Sequence, residues 1–248
     1  MEINPIDIDL DFKPTKQFLI KLIQSILLYL LHERTQIPFS FDVFERFLKN
    51  KKFDGETKCY KTKNQIKIAQ ETYEKICSLK EIIKNEFSYS KTFVFIFGSH
   101  LTTAKECYEI NLPFMNNNNV EVKYNETTTL RNVLLQIITN DRLKISNHLP
   151  ITNCFLLLNR HKPTTDNVEL SQIREFRLNK NCKKFTLNIR DASKFVIFQE
   201  SESVQDPPKD EEKLNQVLID PAIDNWYQSR VYVKGFNDTL VNSKSIWN

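Results

Sequence analysis

Gly98, Ser99 and His100 stand together at the end of a continuous apolar run, with Thr102, Thr103 and Lys105 just beyond them. A glycine, a hydroxyl, an imidazole and a lysine in that order are the parts of a nucleotide loop or of a hydrolase nucleophile turn. The spacing supports neither. A phosphate-cradling loop needs GxxxxGK[ST], and no second glycine follows Gly98. A nucleophile elbow needs GxSxG, a context Ser99 lacks. Neighbouring residues of an extended segment point to opposite sides, so Ser99 and His100 are poorly placed to share a proton. His32, His148 and His161 are scattered, with no HExxH and no metal-ligand spacing. The whole chain holds only three glycines, Gly55, Gly98 and Gly235, so backbone amides have nowhere to cluster against a phosphate. Gly98 is expected at a tight turn where a central strand ends. The residues point to a binding protein with no catalytic group, no metal and no cofactor.

Two other clusters carry charge. Asp7, Asp9 and Asp11 alternate with Ile6, Ile8, Leu10 and Phe12, a period of two that predicts a strand with one wet face. Aspartates there suit a charged edge strand that resists aggregation better than a metal site. Lys49, Lys51, Lys52, Lys58, Lys61, Lys63 and Lys67 form a basic run, read as a solvated loop, with contact to an acidic partner as the alternative. The net charge is +4, too small a bias to mark a nucleic-acid binder. The five cysteines lie at 59, 77, 107, 154 and 182 with no CxxC, which suits free thiols in a reducing compartment. The apolar run Phe18 to Leu31 contains Lys21 and Gln24 and is too short to span a bilayer, so cytosol or nucleus is expected and no membrane partner.

The elements that position these residues follow from periodicity. In 248 residues, 40% hydrophobic and 27% charged, one large domain can bury a proper core. Residues 1–15 form an N-terminal strand or arm, 16–236 a single domain and 237–248 a tail. A helix runs from Lys16 to about His32, apolar on nearly every face and so central. A short helix carries Phe41, Phe44 and Phe47. A long one covers about 64–87, with the stripe Ile66, Ala69, Tyr73, Ile76, Leu79 and Ile83. Phe93 to Phe97 is a buried strand, "CYEINLPF" a second, and 116–119 a loop. A third main helix spans about 127–141. Strands follow at 154–160, 184–191 and 193–200, then a polar loop at 202–213, and "NWYQSRVYVKGF" closes the chain. Helices gather in the first half and strands in the second, which predicts α+β with helices on one face of a mainly antiparallel sheet.

Several segments together resemble a known family. These are the Arg34-x-Gln36-Ile37-Pro38 turn after an apolar helix, "FVFIFGSHLTTAKECYEINLP" with Lys105, Glu106, Tyr108, Glu109, Ile110, Asn111 and Leu112, the helix "TLRNVLLQIITND", and the closing Lys234-Gly235-Phe236. In this order and spacing they are similar to the comet-type binding proteins of the mitotic checkpoint protein Mad-two. The resemblance implies a HORMA-like fold: three main helices on a mainly antiparallel sheet, with a C-terminal safety-belt segment. It implies binding to the closed conformer of Mad-two and an adaptor role for a hexameric AAA+ remodelling ATPase. That role promotes disassembly of the mitotic checkpoint complex and silences the spindle checkpoint, in nucleus and cytoplasm and at the spindle and kinetochore in mitosis.

On the third helix Leu130, Val133 and Ile137 can face the sheet, leaving Leu134 and Ile138 on another face beside Arg131 and Arg142. From pattern alone this pair is either an interface centre or is covered by residues 115–126. The resemblance implies the interface, with the family's aromatic anchor falling on Leu134 and a glutamine contact of the first helix on Glu33. The family's ATPase contact, a Pro-Lys pair before a strand at 174–179, falls on Gln172 and Ile173, where neither residue matches; Arg174 or Lys162 stands nearby. Trp226, Tyr232, Lys234, Gly235 and Phe236 either complete the sheet or lock the belt shut as a ligand would. The alternatives are a HORMA protein that captures peptides with its own belt, a nucleic-acid module using the 49–67 lysines, and, most distantly, a hydrolase built on Ser99.

Overall fold

The alternating N-terminal segment becomes strand β1 (Ile6–Leu10), with Ile6, Ile8 and Leu10 buried and its aspartates exposed. The computed structural model describes residues 5–50, 60–113, 125–143, 149–161, 168–174, 176–191, 225–238, 240–241 and 244–245. Helix α1 (Lys16–Glu33) starts where Thr15 Oγ1 accepts from Phe18 N at 3.1 Å, a capping hydroxyl that satisfies one orphan amide. Its wide apolar surface is buried against α3 and α4. Helix α2 (Phe41–Asn50) follows the Pro38 turn, and α3 (Tyr60–Glu86) is the longest element among the described residues.

Helix α3 begins earlier than the apolar stripe implies. The basic run read as a loop is therefore mostly not one: Lys49 sits on α2, and Lys63 and Lys67 ride the first turns of α3. Lysine is a good helix former on a solvated face, so charge alone does not mark a loop. Residues 51–59, with Lys51, Lys52, Lys58 and Cys59, lie outside the described residues, as do 116–119, 193–200, 202–213, Lys162 and His148.

Seven strands make the main sheet: β1, β2 (Ser90–Gly98), β3 (Ala104–Asn111), β4 (Asn153–Arg160), β5 (Leu170–Ile173), β6 (Lys183–Asp191) and β7 (Asn225–Lys234). Their order is β1-β6-β3-β2-β4-β7-β5. The β3-β2-β4-β7-β5 portion is antiparallel, whereas β6 runs parallel to both β3 and β1. Thus β1 is the edge strand of the same sheet that holds the rest of the fold. A two-stranded ladder, β8 (Leu240–Val241) with β9 (Lys244–Ser245), lies in the tail. Helix α4 (Glu126–Thr139) completes the helical layer. Among the described residues the architecture is α+β, with four α-helices and a mostly antiparallel sheet.

Strand β2 explains its own unbroken apolar run. Phe93, Phe95 and Phe97 join the core under the helices. Val94 and Ile96 point the other way, into a second cluster with Cys107, Phe155, Leu157 and Cys182. Among the described residues that second face is covered by Ile173, Phe176, Leu178 and Trp226. A strand sealed on both faces has no polar side to show. The strand expected at 174–179 is displaced: β5 ends at Ile173, and residues 176–179 pack as irregular chain with Phe176 against Trp226 at 5.1 Å.

Gly98 ends β2 at a bulge in its pairing with β3. The glycine is needed for space, because a Cβ would sit 2.8 Å from Thr103 O and 2.9 Å from Ala104 Cα. Ser99 and His100 project into solvent on the turn that follows.

Candidate interaction surface

Three of the four motif segments of the sequence meet in one buried polar knot. It begins at the end of α1, where the backbone reverses through a Schellman turn: Thr35 N donates to His32 O at 2.9 Å and Gln36 N to Leu31 O at 2.8 Å. Such a turn wants glycine, yet Thr35 holds it at φ 54°, a left-handed conformation that a β-branched residue adopts only under strain. The turn aims Arg34 inward. Its guanidinium grips Glu106 of β3 with both arms, Nε to Oε2 at 2.8 Å and Nη2 to Oε1 at 2.5 Å, and both side chains are almost fully buried. Tyr108 donates its hydroxyl to Glu106 Oε2 at 3.0 Å. Burial first, then the Glu106 carboxylate, hold the Tyr108 phenol far above its ordinary range, so it remains a donor.

Gln36 is the centre of the knot. Its Nε2 donates to Arg34 O at 2.6 Å and its Oε1 accepts from Thr152 N at 2.7 Å. Its own carbonyl accepts from Phe236 N, and Thr152 O accepts from Gly235 N, both at 2.9 Å. Further along, Thr72 Oγ1 donates to Lys234 O at 3.3 Å and Gln65 Nε2 to Asn237 O at 2.5 Å. The α1 turn, α3 and the segment before β4 therefore all grip the backbone that leaves β7. Phe236 seats its ring against Phe44 at 5.6 Å.

The helical layer carries the exposed apolar groups. Val133 and Ile137 face the core, as their spacing predicts. Leu134 is half-buried and packs partly against that core. Ile138 is 37% exposed, and Leu135, which the pattern reading passed over, is 45% exposed. Arg131, Arg142 and Glu33 are exposed. Three contacts orient these residues. Lys21 of α1 pairs with Glu126 at the start of α4 at 2.7 Å. Arg142, just past α4, donates to Pro5 O at 2.9 Å, beside β1. Arg34, just past α1, holds Glu106 on β3, while Ile6 pairs with Leu187 and Leu187 with Ile110. Helices α1 and α4 thus run side by side in the same sense, and Glu33, Ile138 and Arg142 gather toward one end of the layer.

The other expected contacts are elsewhere. Gln172 and Ile173 lie inside β5, at the opposite edge of the sheet from β1, and not ahead of a strand as the resemblance implies. Ile173 packs into the second cluster, while Gln172 and Arg174 are exposed. On β7, Trp226 covers the second face. Tyr232 is 40% exposed, with Phe155 at 5.3 Å and Lys75 Nζ 5.5 Å from its ring. The side chain of Lys234 is exposed.

Two ion pairs escaped pattern reading because their members are distant in the chain. Arg34 and Glu106 belong to quoted motifs, but only folding joins them. Arg160 is buried beside Glu86, Nε to Oε2 at 3.4 Å, between the rings of Tyr89 and Tyr227. Among the described residues no group of three His, Cys, Asp or Glu side chains could hold a metal ion, and no helix is long and apolar enough to cross a membrane. Compared with known proteins, the chain matches no family model and no curated protein.

Proposed function

We propose that this chain is a HORMA-like, comet-type docking protein whose belt is closed on itself, and that it binds the closed conformer of Mad-two through the α1–α4 layer. The observation that carries this reading is the path of the C-terminal half. Strand β6 pairs with β3 on one side of the β3-β2-β4 unit, and the chain then returns as β7 to pair with β4 on the other side. In a belt protein that second position is where a captured peptide would add its strand. Here the chain's own segment fills it, and the Gln36, Thr72 and Gln65 bonds hold that segment down. A slot already occupied favours a protein that docks by its surface over one that captures peptides.

The docking surface is the exposed apolar group of Leu135 and Ile138, with Leu134 half-buried beside them and Arg131, Arg142 and Glu33 nearby. Apolar residues ringed by charge make a normal interface centre. The adaptor role toward a hexameric AAA+ ATPase, and through it the disassembly of the mitotic checkpoint complex, would use the exposed edge at Gln172 and Arg174. The role is binding, with no bond-breaking step and no cofactor, in nucleus and cytoplasm and at the mitotic spindle.

The test is titration calorimetry against closed-locked and open-locked Mad-two. Binding to the closed form alone is expected, and a Leu135→Glu/Ile138→Glu variant should lose about tenfold or more in affinity, as for a central apolar contact. Equal binding to both forms, or an unaffected variant, contradicts the proposal. Saturable capture of a Mad-two-interacting peptide by the chain alone would instead establish the peptide-capturing reading.

A further inference from the structure

The turn that resembled a catalytic loop builds one wall of an open groove of about 530 Å³. Thr102 to Glu106 form that wall, Leu149 and Pro150 a second side, and Asn179, Asn181 and Lys183 a third. Several of its acceptors, the one carboxylate among them, are already engaged. Both Glu106 oxygens are held by Arg34, with Tyr108 adding a third bond. The carbonyls of Thr102 and Ala104 accept from Asn179 Nδ2 at 3.2 and 2.7 Å, and Asn179 Oδ1 accepts from Asn181 N at 2.9 Å. The two lysines are different. Neither Lys105 nor Lys183 has an ion-pair partner among the described residues, although neighbouring Lys184 is paired with Glu109 at 3.0 Å. The one acid among the lining residues is neutralised by Arg34, which leaves the lining with two cationic side chains and no unpaired carboxylate.

We propose that this groove is a binding site for an extended acidic peptide segment, whose carboxylates Lys105 and Lys183 receive. A groove lined by two lysines, with its only carboxylate already paired, favours an anionic guest over a cation. The space exceeds what a lone oxyanion fills and lies within the range of sites for larger ligands. Leu149 and Pro150 add an apolar side against which a peptide backbone can lie. The groove shares no lining residue with the α1–α4 docking surface, and its proposal does not depend on that surface.

Fluorescence anisotropy of fluorescein-labelled hexaglutamate with the full chain tests this, with labelled hexalysine as the comparison. Saturable binding of hexaglutamate alone is expected. Lys105→Ala/Lys183→Ala should weaken it by about tenfold, whereas Lys63→Ala/Lys67→Ala, which removes equal charge from α3, should leave it unchanged. Lys105→Ala alone, at an exposed position, should give about threefold and guards against a folding defect in the double variant. Equal weakening by the two double variants would reduce the effect to net charge and overturn the site. Displacement by inorganic phosphate at the same concentration as unlabelled peptide would make it a small-anion site and overturn the peptide assignment.

Discussion

Replacing Gly235 with alanine should loosen the C-terminal strand by a route the structure specifies. A Cβ at this position would lie 2.5 Å from Gln36 Oε1, 3.0 Å from Thr152 O and 3.2 Å from Gln36 O. The two carbonyls cannot retreat cheaply, because each accepts a 2.9 Å bond from the strand being altered. The side-chain oxygen must move instead, by about 1 Å to reach ordinary contact. That shift breaks its 2.7 Å bond from Thr152 N and disturbs the bond from Nε2 to Arg34 O. Leaving a buried amide unsatisfied costs about 1–3 kcal/mol, and crowding a packed site costs about as much. The stiffer unfolded chain returns about half a kcal/mol. A net loss of about 3 kcal/mol is expected, or a drop in Tm of about 6–12 °C for a chain of this size. Urea denaturation of four proteins gives the decisive form of the assay: the parent, Gly235→Ala, Gln36→Ala and the double variant. If Gln36 is the obstacle, alanine at 235 should cost only about 1 kcal/mol once Gln36 is truncated, from the two backbone contacts that remain. Effects that add to within about 0.5 kcal/mol would show that the two residues are energetically independent, and the latch argument would fail.

Four other outcomes follow from the same geometry. Thr35→Gly should raise stability by about 1 kcal/mol in thermal melts, because it relieves the left-handed strain at φ 54° at the cost of a 2.8 Å bond from its hydroxyl to Arg34 O; a net loss would mean that the hydroxyl outweighs the strain. Arg34→Met should cost about 3–5 kcal/mol by stranding Glu106, and Arg34→Met/Glu106→Leu should recover most of it; equal costs for the single and double variants would contradict the pair's role. In a Cys59→Ser background, alkylation followed by peptide mass spectrometry should find Cys77 modified in the native protein. Cys107, Cys154 and Cys182 should be protected, because burial pushes all three thiols up, Cys182 to about 11. The bond from Tyr73 at 2.6 Å, and then Lys49, lower the Glu45 carboxyl below its ordinary value. Its folded pKa thus lies below its unfolded one, so this contribution is present at neutral pH and is lost as pH falls through the carboxylate range. Tyr73→Phe should flatten the acid limb of a stability-against-pH curve, and an unchanged limb would count against the bond.

Local pattern determined a good deal by itself. Alternation made β1 a strand, an all-round apolar surface made α1 central, and the spacing of Val133 and Ile137 chose the buried side of α4. Each is a statement about which side of one element avoids water, and the residue order encodes it directly. Four things were decided only by the tertiary structure. The parallel placement of β6 between β3 and β1, and the return of β7 beside β4, depend on pairing between strands far apart in the chain. Leu134 proved half-buried and Leu135 exposed, because the surface α1 covers depends on where α1 lies. Lys63 proved helical because α3 packs across β7, a contact no window of charges contains. The Arg34–Glu106 pair is the clearest case. Its members lie in two segments whose residue types were conspicuous, but a buried ion pair requires desolvation by the whole core, and no local stretch of sequence carries that information.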